Sequence, residues 1–179
     1  GKSFYNGTLD DIHNSNFLVS DGSFLKSDAP SVKYAFNNAI TMNKGAGLYF
    51  HSMGDTHIEG FGKKGKTIET VVNKPLTEDA VLYFILDQFG KDLPSEIEEF
   101  LGSQDVDYTY TKLLDMIGAN ESLLETIEAM LAKKDTFSLI IGEDCISHPN
   151  SSNIAKLAAL VEKHTNFKVV VIPTQTNTL

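Results

Sequence analysis

Residues 60–67, Gly-Phe-Gly-Lys-Lys-Gly-Lys-Thr, have the spacing of a phosphate-binding P-loop. In such a loop backbone N–H groups cradle a polyphosphate, the lysine (here Lys66) reaches its outer phosphates, and the hydroxyl (here Thr67) holds Mg²⁺. That chemistry needs a buried strand running into Gly60 and a helix opening at Lys66-Thr67. The preceding Asp55-Thr56-His57-Ile58-Glu59 is mostly polar, and Ile68 to Asn73 is too short a helix before Lys74-Pro75. Asp21 or Asp144 could supply the Mg²⁺ carboxylate only with the topology out of order. The segment therefore reads as a lysine- and glycine-rich surface loop, with a P-loop nucleotide-binding protein as the alternative.

His51, Asp55, His57 and Glu59 are imidazoles and carboxylates of the kind that suit zinc or iron. They lie in a glycine-containing connection rather than on one face of a regular element, so no metal site is expected. Cys145 and His148 stand three positions apart, but the sequence nominates no orienting group or oxyanion donor, and Cys145 reads as a packed thiol. No catalytic residue is assigned. Two turns carry more weight: Asp21-Gly22-Ser23 and Gly142-Glu143-Asp144 each follow an apolar run. Ligands on open parallel sheets bind beyond the carboxyl ends of strands. Gly22, Ser23, Gly142 and Glu143 thus mark a vestigial cofactor crevice, provided the two units wind in opposite directions from adjacent strands. The competing expectation is a crevice left empty or filled by another part of the protein.

The elements that would position these turns repeat one grammar. Phe17-Leu18-Val19 reads as a strand ending in Ser20-Asp21-Gly22. A helix follows, with Asp28 as N-cap, Pro30 in its first turn, and Val32, Ala35, Phe36, Ala39 and Ile40 at helical spacing. Gly45 closes it, and Gly47 to Phe50 is a second strand. The last stretch repeats this: Phe137 to Ile141, a helix capped by Asn150, Ser151 or Ser152 with Ile154, Leu157, Ala158 and Val161 on one face, then Val169 to Ile172 ended by Pro173. The predicted fold class is α/β: an open parallel sheet of at least four strands from two βαβ units, with an inserted helical annex. The first unit and the glycine/lysine-rich loop take 1–75, the annex 76–134 and the second unit 135–179. Three or four helices fill the annex. Ala80 to Leu86 is apolar on nearly every side, which places it at the centre of the annex or against another subunit. Lys133 and Lys134 follow the helix of Leu123, Ile127, Met130 and Leu131, where positive charge favours the macrodipole.

The bulk properties exclude several classes. A chain of 179 residues, 41% hydrophobic and 22% charged, has the composition of a folded globular domain. Its one cysteine permits no intrachain disulfide and no thiolate-held zinc or iron–sulfur centre from this chain alone, which points to a reducing compartment. No apolar run reaches the roughly 18 residues of a membrane helix, so no direct membrane insertion is expected. With 24 acidic against 15 basic residues, the net charge of −9 argues against nucleic acid. The termini at Gly1 and Leu179 read as cuts through a longer chain.

Asp10-Asp11-Ile12, Ser15-Asn16-Phe17-Leu18-Val19, Gly22-Ser23 and Pro30 together resemble the molybdopterin oxidoreductase superfamily, with Phe24 and Leu25 where that family's turn is usually polar. The segments Ile140-Ile141-Gly142-Glu143-Asp144, His148-Pro149-Asn150, Asn153-Ile154-Ala155 and Thr165 to Leu179 look specifically like the large G subunits of bacterial NADH–quinone oxidoreductase, respiratory complex I. The resemblance covers about Leu9 to Ser52 and Asp135 to Leu179 and leaves the annex unmatched. It implies a non-catalytic scaffold with no molybdenum cofactor and iron–sulfur clusters in a missing N-terminal part of the chain. Its partners would be other subunits of the peripheral arm, on the cytoplasmic side of the inner membrane. A domain of a true molybdopterin-dependent oxidoreductase is the remaining alternative.

Overall fold

The computed structural model describes residues 5–102 and 110–172; Pro173 to Leu179, part of the resemblance, lie outside them. The chain begins with helix α1 (Leu9–Asn14), strand β1 (Phe17–Asp21), the short α2 (Leu25–Asp28), α3 (Pro30–Met42) and β2 (Ala46–Phe50). Then come α4 (Thr56–Glu59), β3 (Ile68–Val71), α5 (Glu78–Phe89), α6 (Ser95–Gly102), α7 (Tyr110–Met116) and α8 (Glu121–Leu131). The last elements are β4 (Phe137–Ile141), α9 (Glu143–Ser147), α10 (Ser151–His164) and β5 (Phe167–Val171).

The five strands form one parallel sheet in the order β3-β2-β1-β4-β5. The chain winds outward one way from β1 and the other way from β4, so the strand order reverses between these two neighbours. Asp21 is level with both Phe50 and Ile141 in the register, which brings the turns after β1, β2 and β4 to one edge. The two βαβ units are as the sequence grammar predicts, and the strand order meets the condition left open there, with the units winding in opposite directions from adjacent first strands. The fifth strand was not predicted: Ile68–Val71 extends the sheet as an edge strand. Glu69 and Thr70, polar and half-buried, mask its apolar signal.

Each sheet face has its own core, because successive side chains of a strand point to opposite faces. Leu18, Tyr49, Ile140 and Val170 pack with Ala35, Phe36, Ala39 and Ile40 of α3 and with Ile12 of α1. Val19, Leu48, Phe50 and Leu139 pack on the opposite face with α5, α8 and α10. The apolar residues Ala80 to Leu86 are accounted for there: all but Tyr83 are buried, against the sheet and α10, within this chain. At the amino edge Phe17, Phe89, Phe137 and Phe167 form an aromatic cluster with ring centroids 5.2–6.2 Å apart. Such pairs each add about 0.5–1.5 kcal/mol beyond their buried area.

One capping expectation is corrected and another holds in position only. Asp28 does not cap α3, whose N-cap is Ala29; its carboxylate turns back to accept from the Phe24 N–H at 2.7 Å and holds the turn after β1. Asn150 is the N-cap residue of α10 but makes no side-chain cap, and its amide donates to Asp79 at 3.3 Å instead. A capping box that the sequence reading missed, Thr8 with Asp11, starts α1.

Candidate functional site

The turns that follow β1 and β4 meet at the switch point. The Gly142 N–H donates to the Asp21 carbonyl at 2.8 Å, and the Asp144 N–H, in the first turn of α9, donates to the Gly22 carbonyl at 2.9 Å. Gly22 has φ +68°, a left-handed conformation natural to glycine, and its N–H donates to the Phe50 carbonyl at 3.2 Å. The contact between the turns is close: a Cβ on Gly142 would sit 2.2 Å from the Gly22 carbonyl oxygen and 2.3 Å from Ser23 Cβ. Ser23 is buried, its hydroxyl 3.3 Å from Asp28 and its carbonyl accepting from the Tyr49 hydroxyl at 2.7 Å. Glu143 is exposed. The structure thus brings Gly22, Ser23 and Gly142 together and leaves the Glu143 side chain at the surface.

Groups of this chain fill the space between the turns. Cys145, 1% exposed, donates its thiol hydrogen to Asp21 Oδ2 at 3.5 Å. Leu25 is buried in the α3-side core, and the half-buried Phe24 ring lies 5.6 Å from the His51 ring. Asp21 is 0% exposed with Oδ1 unpaired. Burial, then the neighbouring Glu78 carboxylate, pushes its carboxyl well above the usual carboxylate range. Burial also raises Glu78, at the start of α5, against a lowering from its own backbone and from His148. Burial and the Asp21 charge push the Cys145 thiol well up, so it is held as a thiol rather than a nucleophilic thiolate. His148 Nε2 approaches Glu78 Oε2 at 3.5 Å, too far for a well-formed hydrogen bond, and both atoms lack other partners. His148 thus faces Glu78 of α5 rather than serving Cys145. This buried set of Asp21, Glu78, Cys145 and His148 joins three chain segments, and no local spacing in the sequence reveals it.

The other candidates separate. His51 shares its Nδ1 with the Met53 backbone and sets Nε2 3.4 Å from Asp144. Asp55 caps α4 by accepting from His57 N–H at 2.9 Å, the exposed His57 packs edge-on to Phe61, and Glu59 accepts from the Thr70 hydroxyl at 3.0 Å. Among the described residues no group of three or more His, Cys, Asp or Glu is placed to hold a metal ion. Residues 60–67 follow a helix and lead into a strand, the reverse of what a P-loop requires, at the amino end of β3. The Thr67 hydroxyl, which a P-loop would offer to Mg²⁺, accepts from the Lys63 N–H at 2.7 Å.

The superfamily resemblance brings a nucleotide-like cofactor and iron–sulfur clusters into question. Neither suits these residues: the only cysteine is buried on Asp21, and the N–H groups of Gly22, Gly142 and Asp144 are spent on carbonyls of this chain. No helix among the described residues is long and apolar enough to cross a membrane. No protein-family model matches the chain, and no curated protein sequence matches it.

Proposed function

We propose that this chain is a non-catalytic structural domain of the large peripheral-arm subunit of an NADH–quinone oxidoreductase. It supports electron transfer from NADH to quinone through flavin and iron–sulfur clusters held elsewhere, on the cytoplasmic side of the membrane. One observation carries the scaffold reading: the switch-point crevice, where a doubly wound sheet would bind a cofactor, is packed with the chain's own groups. Gly22 and Gly142 lie in backbone contact, with Cys145 and Ser23 packed against them. The placement within complex I rests on the resemblance of Ile140 to Asp144, His148 to Asn150 and the stretch from Thr165 onward to that family.

The test is gentle purification of the full-length protein from its own cell, with identification of companions and assay of flavin, iron and molybdenum. Companions carrying flavin and iron–sulfur clusters without molybdenum are expected. Stoichiometric molybdenum would favour a molybdopterin-dependent enzyme, and purification without companions would remove the complex I assignment.

A further inference from the structure

Three atoms of the buried set at the switch point, Asp21 Oδ1, Glu78 Oε2 and His148 Nε2, have no hydrogen-bond partner among the described residues. Their side chains come from the end of β1, the first turn of α5 and the turn between α9 and α10. Glu78 Oε2 faces His148 Nε2 at 3.5 Å, and next to it Asp79 Oδ2 accepts from the Asn150 side-chain amide at 3.3 Å. Two neighbouring carboxyls thus join the start of α5 to the turn before α10. Geometry fixes the state of the ring. His148 Nδ1 accepts from the Asn150 N–H at 2.9 Å, so the ring hydrogen sits on Nε2, toward Glu78. A second proton, on Nδ1, would set two N–H groups against each other. His148 therefore brings a donor and no charge, and the members of this contact that titrate are Asp21 and Glu78.

The charges around the two carboxyls have one sign. Asp21 is faced by Glu78 and Asp79 of α5 and by Asp144 of α9, with the neutral Cys145 thiol at 3.5 Å. Glu78 is faced by Asp21, Asp79, Asp144 and His148. Past Asp144 lies His51, 3.4 Å away. The chain has no arginine; Lys74, before α5, is held by Asp115 at 2.6 Å, and Lys156 and Lys163 of α10 are exposed. One negative charge is tolerated, because an ionised Glu78 meets the His148 N–H, its own backbone N–H and the amino end of α5. A second is not: an ionised Asp21 would be a buried anion with an unpartnered oxygen beside another carboxylate. Burial raises both carboxyls in the closed form, so that form holds more protons than an open one. Opening is therefore favoured as pH climbs from about 4 toward the folded values. We propose that Asp21, Glu78 and His148 form a pH-sensitive latch: a proton kept on one carboxyl holds the start of α5 against β1 and α9, and its loss opens this corner locally and uncovers Cys145. Cys145 reports the event because it is 1% exposed when the latch is closed and lies in α9, against which α5 packs. The latch does not depend on the assignment to an assembly.

The test is the rate at which N-ethylmaleimide labels Cys145 in the full-length protein, read by mass spectrometry of the peptide that carries it. Protection is the rate for a short unstructured cysteine peptide divided by this rate, which removes the ordinary gain in thiolate with pH. Protection should fall roughly tenfold or more between about pH 5 and about pH 7, each carboxyl contributing up to about tenfold per pH unit. Because the opening is local, about 1 M urea should leave labelling at pH 7 nearly unchanged, whereas exposure through global unfolding would speed it roughly fivefold or more. Asp21→Asn keeps the shape without the charge and should lessen the fall with pH; Asp21→Asn with Glu78→Gln should flatten it to within about twofold. Level protection across this range in the native protein would overturn the proposal without any variant. So would the full urea response, or a native fall kept whole in Asp21→Asn.

Discussion

Folding raises the carboxyls of Asp21 and Glu78 above their ordinary range, chiefly by taking them out of water. Their folded-state affinity for protons exceeds that of the unfolded chain. The stability they contribute is therefore complete below the unfolded value of about 4 and is lost as pH rises toward the folded value. One such group changes stability by up to about 1.4 kcal/mol per pH unit within that window. Thermal midpoints measured at about pH 5 and about pH 8 should fall less for Asp21→Asn than for the native protein, Glu78 supplying the remaining slope. Parallel losses would mean that Asp21 is ionised in the fold. Glycine contacts give a second check. Gly142→Ala forces a Cβ to 2.2 Å from a backbone oxygen and should cost about 1–3 kcal/mol, whereas Gly54→Ala, with 3.7 Å to the Val72 side chain, should change stability by less than about 0.5 kcal/mol. Equal midpoint changes in chemical denaturation would contradict the close packing of the two turns.

The elements legible in the sequence were those with one dominant period. β1, β2, β4, α3 and α10 carry near-continuous apolar runs or helical apolar faces, and from them the parallel sheet follows, whereas the switch point depends on the pairing of β1 with β4, which no local pattern encodes. β3 was hidden because an edge strand of four residues needs only two buried side chains, Ile68 and Val71, and because the glycines before it imitate a different loop. The crevice residues Gly22, Ser23 and Gly142 were legible as strand-end turns. Glu78 and His148 were not, since Glu78 comes near Asp21 and His148 only after α5 has been laid on the sheet. The loop at 60–67 offers a test of element order. Lys66→Ala should leave stability within about 0.5 kcal/mol and reveal no Mg–ATP binding to lose, while Thr67→Ala should cost roughly 1 kcal/mol through the lost bond to Lys63 N–H. Mg–ATP binding abolished by Lys66→Ala would reverse this reading.

As a whole, the molecule keeps the architecture of a ligand-binding sheet while using its switch point as packing. Residues of α5, α7 and α8 are continuous with one sheet core and cover that face, and the sequence of 76–134 carries the chain's excess negative charge. On the proposed scaffold function, what matters is what the chain holds in place, and damage to the crevice should reduce assembly rather than chemistry. The most direct measurement is NADH–quinone turnover per mole of flavin in the intact protein carrying Ser23→Ala and Glu143→Gln together, beside the quantity of complex recovered. The expected result is turnover per flavin within about twofold of the native protein, any deficit appearing in the quantity assembled. Normal assembly with turnover lowered roughly tenfold or more would contradict the scaffold reading and show that the crevice takes part in the reaction.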